Sequence, residues 1–361
     1  MPRRLVLHAG MFKTGSSSIQ AFLDRARLKN ATYFGWDHPN HSTLFVLLFA
    51  RRPEADWVFR QRELSAETCA DWREREKQAL TRQIEGSSDD LFIFSAERVY
   101  RGRPPELRAC REFFSRFFPQ IDVHCYVRDP MSYAASMLQQ SLKTGDVPRP
   151  RALLPNFRLR IANLDEAFGR DAVKTRMYSR PADVRRNLVA DFCNWTGVET
   201  DTATDVRVNS SMSAEATALL YLFRRHAGFA LSSSRALAAN GRMVRALTTI
   251  PGRRTTLAPE FFGADAAEIA DDRLWMEERM QERFPSEQPD GPATVTFTSF
   301  DDLEAFGREV FQQRAGKPFA AEDWQDDTRS PGRFAASVTG ALPRLASMLP
   351  LRSPISRRRP G

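Results

Sequence analysis

An α/β fold, with a parallel sheet covered by helices on both faces, is predicted by three features of the sequence. Short apolar runs recur along the first half of the chain, each closed by a glycine or a charged residue. After each run the apolar residues return at helical spacing. Strands that alternate with helices are joined by crossovers, which makes the sheet parallel and buries both of its faces. Finally, 361 residues with 42% hydrophobic content suffice for one large α/β domain carrying insertions, the arrangement we expect over a domain plus a smaller helical unit.

The first run, RLVLHAG, ends at Gly10 and leads through a polar loop into SSSIQAFLDRARL, where Ile19, Phe22, Leu23 and Leu28 fall near helical spacing. DLFIFSAE (90–97) precedes the helical pattern ELRACREFFSRFF, and IDVHCYVRDP (121–130) precedes MSYAASMLQQSLK. VKTRMYS (173–179) is a fourth strand, with PADVRRNLVADFCNW as its helix. Between the first two strand units lies a helical insert, about 36–89, of the kind that shapes an acceptor pocket. From about 213 the chain is mostly helical, broken by the turn-rich TTIPGRRTTLAPE.

QDDTRSPG marks the expected end of the compact body, which places one domain over 1–328 and a basic, disordered tail over 329–361. That tail holds seven of the net eight positive charges and no acidic residue, so the body carries only +1, which speaks against a dedicated nucleic-acid-binding domain. Its spaced apolar residues, Phe334, Val338, Leu342, Leu345, Met348 and Leu349, offer at most weak peripheral contact with an anionic membrane, because Pro343 interrupts a continuous helix. Truncation after Asp327 is expected to leave the body unaffected. The first 25 residues hold no long apolar stretch, so the mature protein is expected to begin near Met1. Cys69, Cys110, Cys125 and Cys193 have no CxxC spacing, which fits a reducing cytoplasm better than a zinc site or a disulfide framework.

HAGMFKTGSSSIQ sits where a strand meets a helix, so backbone N–H groups and the positive end of the helix dipole converge on an anion. A nucleotide-hydrolysing P-loop would read GxxxxGK followed by Ser or Thr. Here Gly10 and Gly15 keep that spacing, but Ser16 stands in the lysine's place and the lysine is Lys13, inside the loop. DLFIF ends in Ser95 and not in a metal-binding aspartate, so transfer without a metal ion is expected.

Lys13-Thr14-Gly15-Ser16-Ser17 resembles the 5′-phosphosulfate loop of sulfotransferases that use 3′-phosphoadenosine 5′-phosphosulfate (PAPS), with Ser16 where threonine is usual. Arg128 at the end of a later strand, with Ser136 eight positions on, resembles the family's second signature. The likeness covers roughly residues 4 to 200. It implies a P-loop-NTPase-like sulfotransferase fold and PAPS as co-substrate with no metal. Lys13 would then stabilise charge on the oxygen bridging phosphate and sulfate, while Thr14, Gly15, Ser16 and Ser17 donate to the 5′-phosphate. Arg128 would hold the 3′-phosphate with Ser136, and Tyr178 would contact adenine.

Each residue has a plainer reading beside this one. Ser16 or Ser17 could simply cap the helix, Arg128 could pair with Asp129, and Ser136 and Tyr178 could be packing residues. Glu97, just past DLFIF, is the nearest base for the acceptor, with helix capping or a pair with Arg98 or Arg101 as its alternative. His38 and His41, in WDHPNHST, are the other candidates for base or acceptor contacts. The sequence therefore predicts sulfuryl transfer from PAPS to a hydroxyl or amine of a small-molecule or glycan acceptor, such as a carbohydrate or cell-envelope precursor. A P-loop kinase or NTPase, and an inactive nucleotide-binding relative, remain the alternatives.

Overall fold

The computed structural model describes residues 2–178, 187–202, 211–227, 233–285, 293–324 and 330–340. Where a single body was expected, the chain divides into two compact units, Met1–Tyr133 with Leu154–Asn209 and Ala267–Ser286, and Ala134–Leu153 with Ser210–Ala266 and Glu287–Gly361.

The first unit is built on five parallel strands, β1 (Arg4–His8), β2 (Ala31–Tyr33), β3 (Leu91–Ser95), β4 (Gln120–Val127) and β5 (Val173–Met177), in the order β2-β3-β1-β4-β5. Leu5, Val6 and Leu7 are wholly buried, as the central strand of a sheet covered on both faces requires. One face carries Val6, Ile93 and Tyr126. They pack on Ile19, Phe22 and Leu23 of helix α1 (Ser16–Arg25) and on Val189, Phe192 and Cys193 of a later helix, Leu188–Thr196. On the other, Phe92 and Phe94 meet Phe34, Phe114 and Phe118 in tilted and edge-on ring contacts. This is the doubly covered parallel sheet predicted. The connection from β1 runs to one side, past β3 to β2, and the one from β3 runs to the other, past β1 to β4, so the ends of β1, β3 and β4 flank a topological switch point, where ligands of such sheets bind.

The insert is helical: α2 (Ser42–Phe49), the short α3 (Trp57–Arg60) capped by Asp56, and α4 (Ala66–Gly86) capped by Ser65. Then follow α5 (Glu97–Tyr100), α6 (Pro104–Ser115), α7 (Pro130–Thr144), α8 (Phe157–Phe168) and α9 (Leu188–Thr196). The expected fourth helix is described from Asn187 onward. Its earlier part lies outside the described residues. The three-residue β2 is too short for its alternation to be read.

The second unit centres on α10 (Ala214–His226), buried along nearly its whole length. Further along the chain come α11 (Ser234–Thr248), then α12 (Ala266–Met280), which from Ala267 on belongs to the first unit, and, in the second unit again, α13 (Phe300–Ala315) and α14 (Ser330–Thr339). Helices α10 and α13 cross closely at Gly307, where a Cβ would meet the Ala218 carbonyl oxygen at 2.7 Å. The turn-rich segment contains β6 (Arg254–Leu257), which pairs in parallel with β7 (Thr294–Phe297) through Thr-rich stretches.

Helix α14 corrects the tail boundary. Phe334 is fully buried and packs on Phe223, Phe311, Phe319 and Trp324, and Val338 is 2% exposed. The packed body thus runs to Thr339, and these two side chains fill a core and are not free to meet a membrane. Leu342, Leu345, Met348 and Leu349 lie outside the described residues. Truncation after Asp327 is therefore expected to destabilise the second unit. Phe334→Ala should lower its unfolding free energy by about 3–5 kcal/mol in urea denaturation. A loss below about 1 kcal/mol would place α14 outside the core. Among the described residues no helix is long and apolar enough to cross a membrane, and all four cysteines are buried and unpaired.

Candidate active site

The loop between β1 and α1 is held in shape by its own backbone. The Ala9 N–H donates to the His124 carbonyl at 2.9 Å, and Lys13 and Gly15 take left-handed conformations with φ of 66° and 79°. Alternating conformations of this kind turn successive N–H groups into one concavity, onto which the first N–H groups of α1 also open. Space for an anion depends on the glycines. A Cβ on Gly10 would fall 2.4 Å from the Ser16 Oγ, and one on Gly15 would fall 2.2 Å from Leu188 Cδ2. Leu188 can yield; the φ of Gly15 cannot. Gly15→Ala is expected to cost about 1–2 kcal/mol and to weaken phosphate-bearing nucleotides, read by thermal melting and titration calorimetry. Unchanged values would contradict the loop's role.

The hydroxyls of Thr14 and Ser16 turn back into the loop itself. Both are buried, and each hydroxyl donates its one proton to the Met11 carbonyl, at 2.7 and 3.4 Å. They brace the loop. The Ser17 side chain is exposed.

Arg128, after β4, donates through Nη1 to the Lys13 carbonyl at 2.9 Å and through Nε to Ser132 Oγ at 2.8 Å. Its guanidinium lies 5.9 Å from the ring centre of Tyr178, which also approaches Gly15. Asp129 caps α7 by accepting from the N–H groups of Met131 and Ser132, both at 3.0 Å, and faces Arg273 at 3.7 Å. Ser136 stands two turns along α7 and is 9% exposed, within the second unit.

Glu97 opens α5 directly beyond β3 and accepts from Asn40 Nδ2 at 3.3 Å. Burial raises its pKa to about 7, against the opposing pull of Asn40, Lys13 and Arg101. The carboxyl thus titrates near neutrality within electrostatic reach of Lys13. Arg98 pairs instead with Asp56 at 2.8 Å, and Arg101 lies face-on to Phe12 at 4.4 Å.

The two histidine candidates separate. His38 is exposed, and its Nδ1 accepts from the Asn40 N–H at 2.9 Å. His41 is fully buried, with Nε2 on the Phe34 carbonyl at 2.9 Å and Nδ1 accepting from the Ser95 N–H at 3.1 Å. Burial lowers its pKa to about 4. With both nitrogens engaged, His41 ties the insert to β3 and has no free edge for a base or acceptor contact, which corrects the sequence expectation.

The sequence matches no protein-family model and none of the curated proteins. Among solved structures, the chain is similar to a sulfotransferase from Alicyclobacillus acidocaldarius, with a TM-score of 0.43 and 13% identity over 79% of this chain and 97% of that one.

Sequence reasoning missed the buried layer under the loop. His8 Nδ1 lies 2.7 Å from Ser95 Oγ, which also accepts from Gln20 Nε2 at 3.1 Å. The neighbouring His124 packs edge-on to Trp195, and burial holds both histidines near pKa 3, hence neutral. Asn40 and Arg101 were also missed as site residues, although Arg101 sits one helical turn beyond Glu97. Among the described residues no group of three or more His, Cys, Asp or Glu side chains is placed to hold a metal ion.

Proposed function

We propose that this chain transfers the sulfuryl group of PAPS to a hydroxyl of an acceptor, in the reducing cytoplasm, and that the donor lies on the loop before α1. One observation carries this reading: Lys13, on the loop after β1, and Glu97, a buried carboxyl directly beyond β3, lie within electrostatic reach of each other where these adjacent strands end. The donor supplies a sulfuryl group on a good leaving group. The N–H groups of Thr14, Gly15, Ser16 and Ser17, with the Ser17 hydroxyl, hold the 5′-phosphate. The Lys13 ammonium stabilises negative charge on the bridging oxygen as its bond to sulfur breaks. Glu97, ionised, takes the acceptor proton as the new oxygen–sulfur bond forms, and adenosine 3′,5′-bisphosphate (PAP) leaves. Arg128 receives the 3′-phosphate, and Tyr178 the adenine.

A kinase reading is disfavoured by Ser16 in place of the P-loop lysine and by Ser95 at the end of β3. Calorimetric titration with PAP and with AMP separates the donor classes. PAP is expected to bind more tightly, and Arg128→Ala to erase about 10- to 100-fold of that preference, the worth of a charge-assisted fork. The ratio is the readout, because Arg128 also holds the Lys13 carbonyl and its loss loosens the loop for both nucleotides. An unchanged ratio would remove the 3′-phosphate from Arg128.

A further inference from the structure

We infer that the cavity of about 420 Å³ beside Glu97 is the acceptor site, and that it selects a pyranose carrying an anionic substituent. The inference rests on the transferase reading for the word acceptor, but its recognition chemistry stands on the cavity wall. That wall includes Phe12, Ser42, Thr43, Trp57, Glu97 and Arg101.

Trp57 is 55% exposed, a large apolar ring left open to solvent on the cavity wall. Such a ring offers a flat platform to the C–H face of a sugar. Around it polar groups are interspersed with the apolar side chains of Val46 and Val58. Ser42 Oγ accepts from the Arg98 N–H at 3.2 Å and keeps its own proton to donate, and the Asp56–Arg98 pair sits beside it. A flat phenol would desolvate these groups without giving them partners, whereas a pyranose brings hydroxyls on its edge and C–H groups on its face.

Charge decides the substituent. Asp56 neutralises Arg98, but among the described residues no carboxylate lies within ion-pair distance of Arg101. Its guanidinium carbon sits over the Phe12 ring, 4.4 Å from the centroid. Stacking uses the face of the guanidinium and spares most of its N–H edge, the fork that matches a carboxylate or a phosphate. Phe12 immediately precedes Lys13, so an anionic acceptor seated on Arg101 also bears on the loop that carries Lys13.

The test titrates the full chain with a glucuronate-containing tetrasaccharide, its carboxyl-reduced neutral counterpart, a phosphorylated sugar and para-nitrophenol, with PAP measured alongside. The uronate is expected to bind at least about tenfold more tightly than its neutral counterpart, and the phosphorylated sugar arm shows whether the fork prefers carboxylate or phosphate. Arg101→Met, which keeps an unbranched stem but removes the charged fork, should erase the difference, while Trp57→Ala weakens both saccharides alike. Equal binding of the two tetrasaccharides, no binding of either, preference for the phenol, or an Arg101→Met protein that still discriminates overturns the inference. Saccharide discrimination without affinity for PAP would instead sink the transferase reading and leave the cavity's selectivity standing.

Discussion

Lys13→Ala is expected to lower turnover by at least about a hundredfold while changing the affinity for PAP only a few fold. The interaction removed is one that grows as charge builds on the leaving oxygen, so its loss falls on the transition state and little on the ground state. The backbone supplies an independent reason to place function here. Lys13 holds φ at 66°, a conformation that costs a side-chain-bearing residue about 1–2 kcal/mol, in a position that glycine would fill without strain. Lys13→Gly should therefore be more stable than Lys13→Ala and equally slow. If rate and nucleotide affinity fall together in both variants, Lys13 binds the donor and does not activate it.

Glu97→Gln is expected to lower kcat by about 10²–10⁴, the usual contribution of a positioned base. The pH profile carries the sharper signature. With burial holding its pKa at about 7, the carboxylate is the minor species below neutrality, so the wild-type rate should rise through that pH and level off above it. The glutamine variant should lose this limb. Stability should move the other way. A carboxyl whose folded pKa is raised binds more protons folded than unfolded between its ordinary value and about 7, so stability falls as pH rises across that window. Glutamine removes the penalty and should raise the thermal midpoint at pH 8. A variant that is both slow and less stable would make Glu97 a structural residue whose loss disturbs the site.

The parts of the fold that could be read in advance are those where burial writes itself into local sequence. The runs RLVLH, LFIFS and DVHCYV lie in strands covered on both faces, and a strand with no solvent face shows as an unbroken apolar stretch. The loop was legible because Gly10 and Gly15 meet a steric need that is local. What escaped depended on distant partners. The β6–β7 pair was hidden because RTTL and TVTF are short and lie in turn-rich surroundings, and only their pairing makes them strands. In α14, Phe334, Ala335 and Val338 already lay at helical spacing, but the surrounding arginines suggested a free, basic tail; the ring cluster of Phe223, Phe311 and Trp324 decides otherwise. Side-chain direction escaped for the same reason: nothing near WDHPNHST says that His41 will meet the Ser95 N–H, and nothing in KTGSS says that the Thr14 hydroxyl will turn toward Met11.

Sulfur-labelled PAPS, incubated with the protein and a cell extract in excess chelator, puts the central claim to its most direct test, with the labelled product identified by mass. The account predicts label on an acceptor hydroxyl, release of PAP in equal amount, and loss of both with Lys13→Ala. It is contradicted if no label leaves PAPS under any condition while magnesium and ATP yield a phosphorylated product, which would make the loop before α1 that of a kinase.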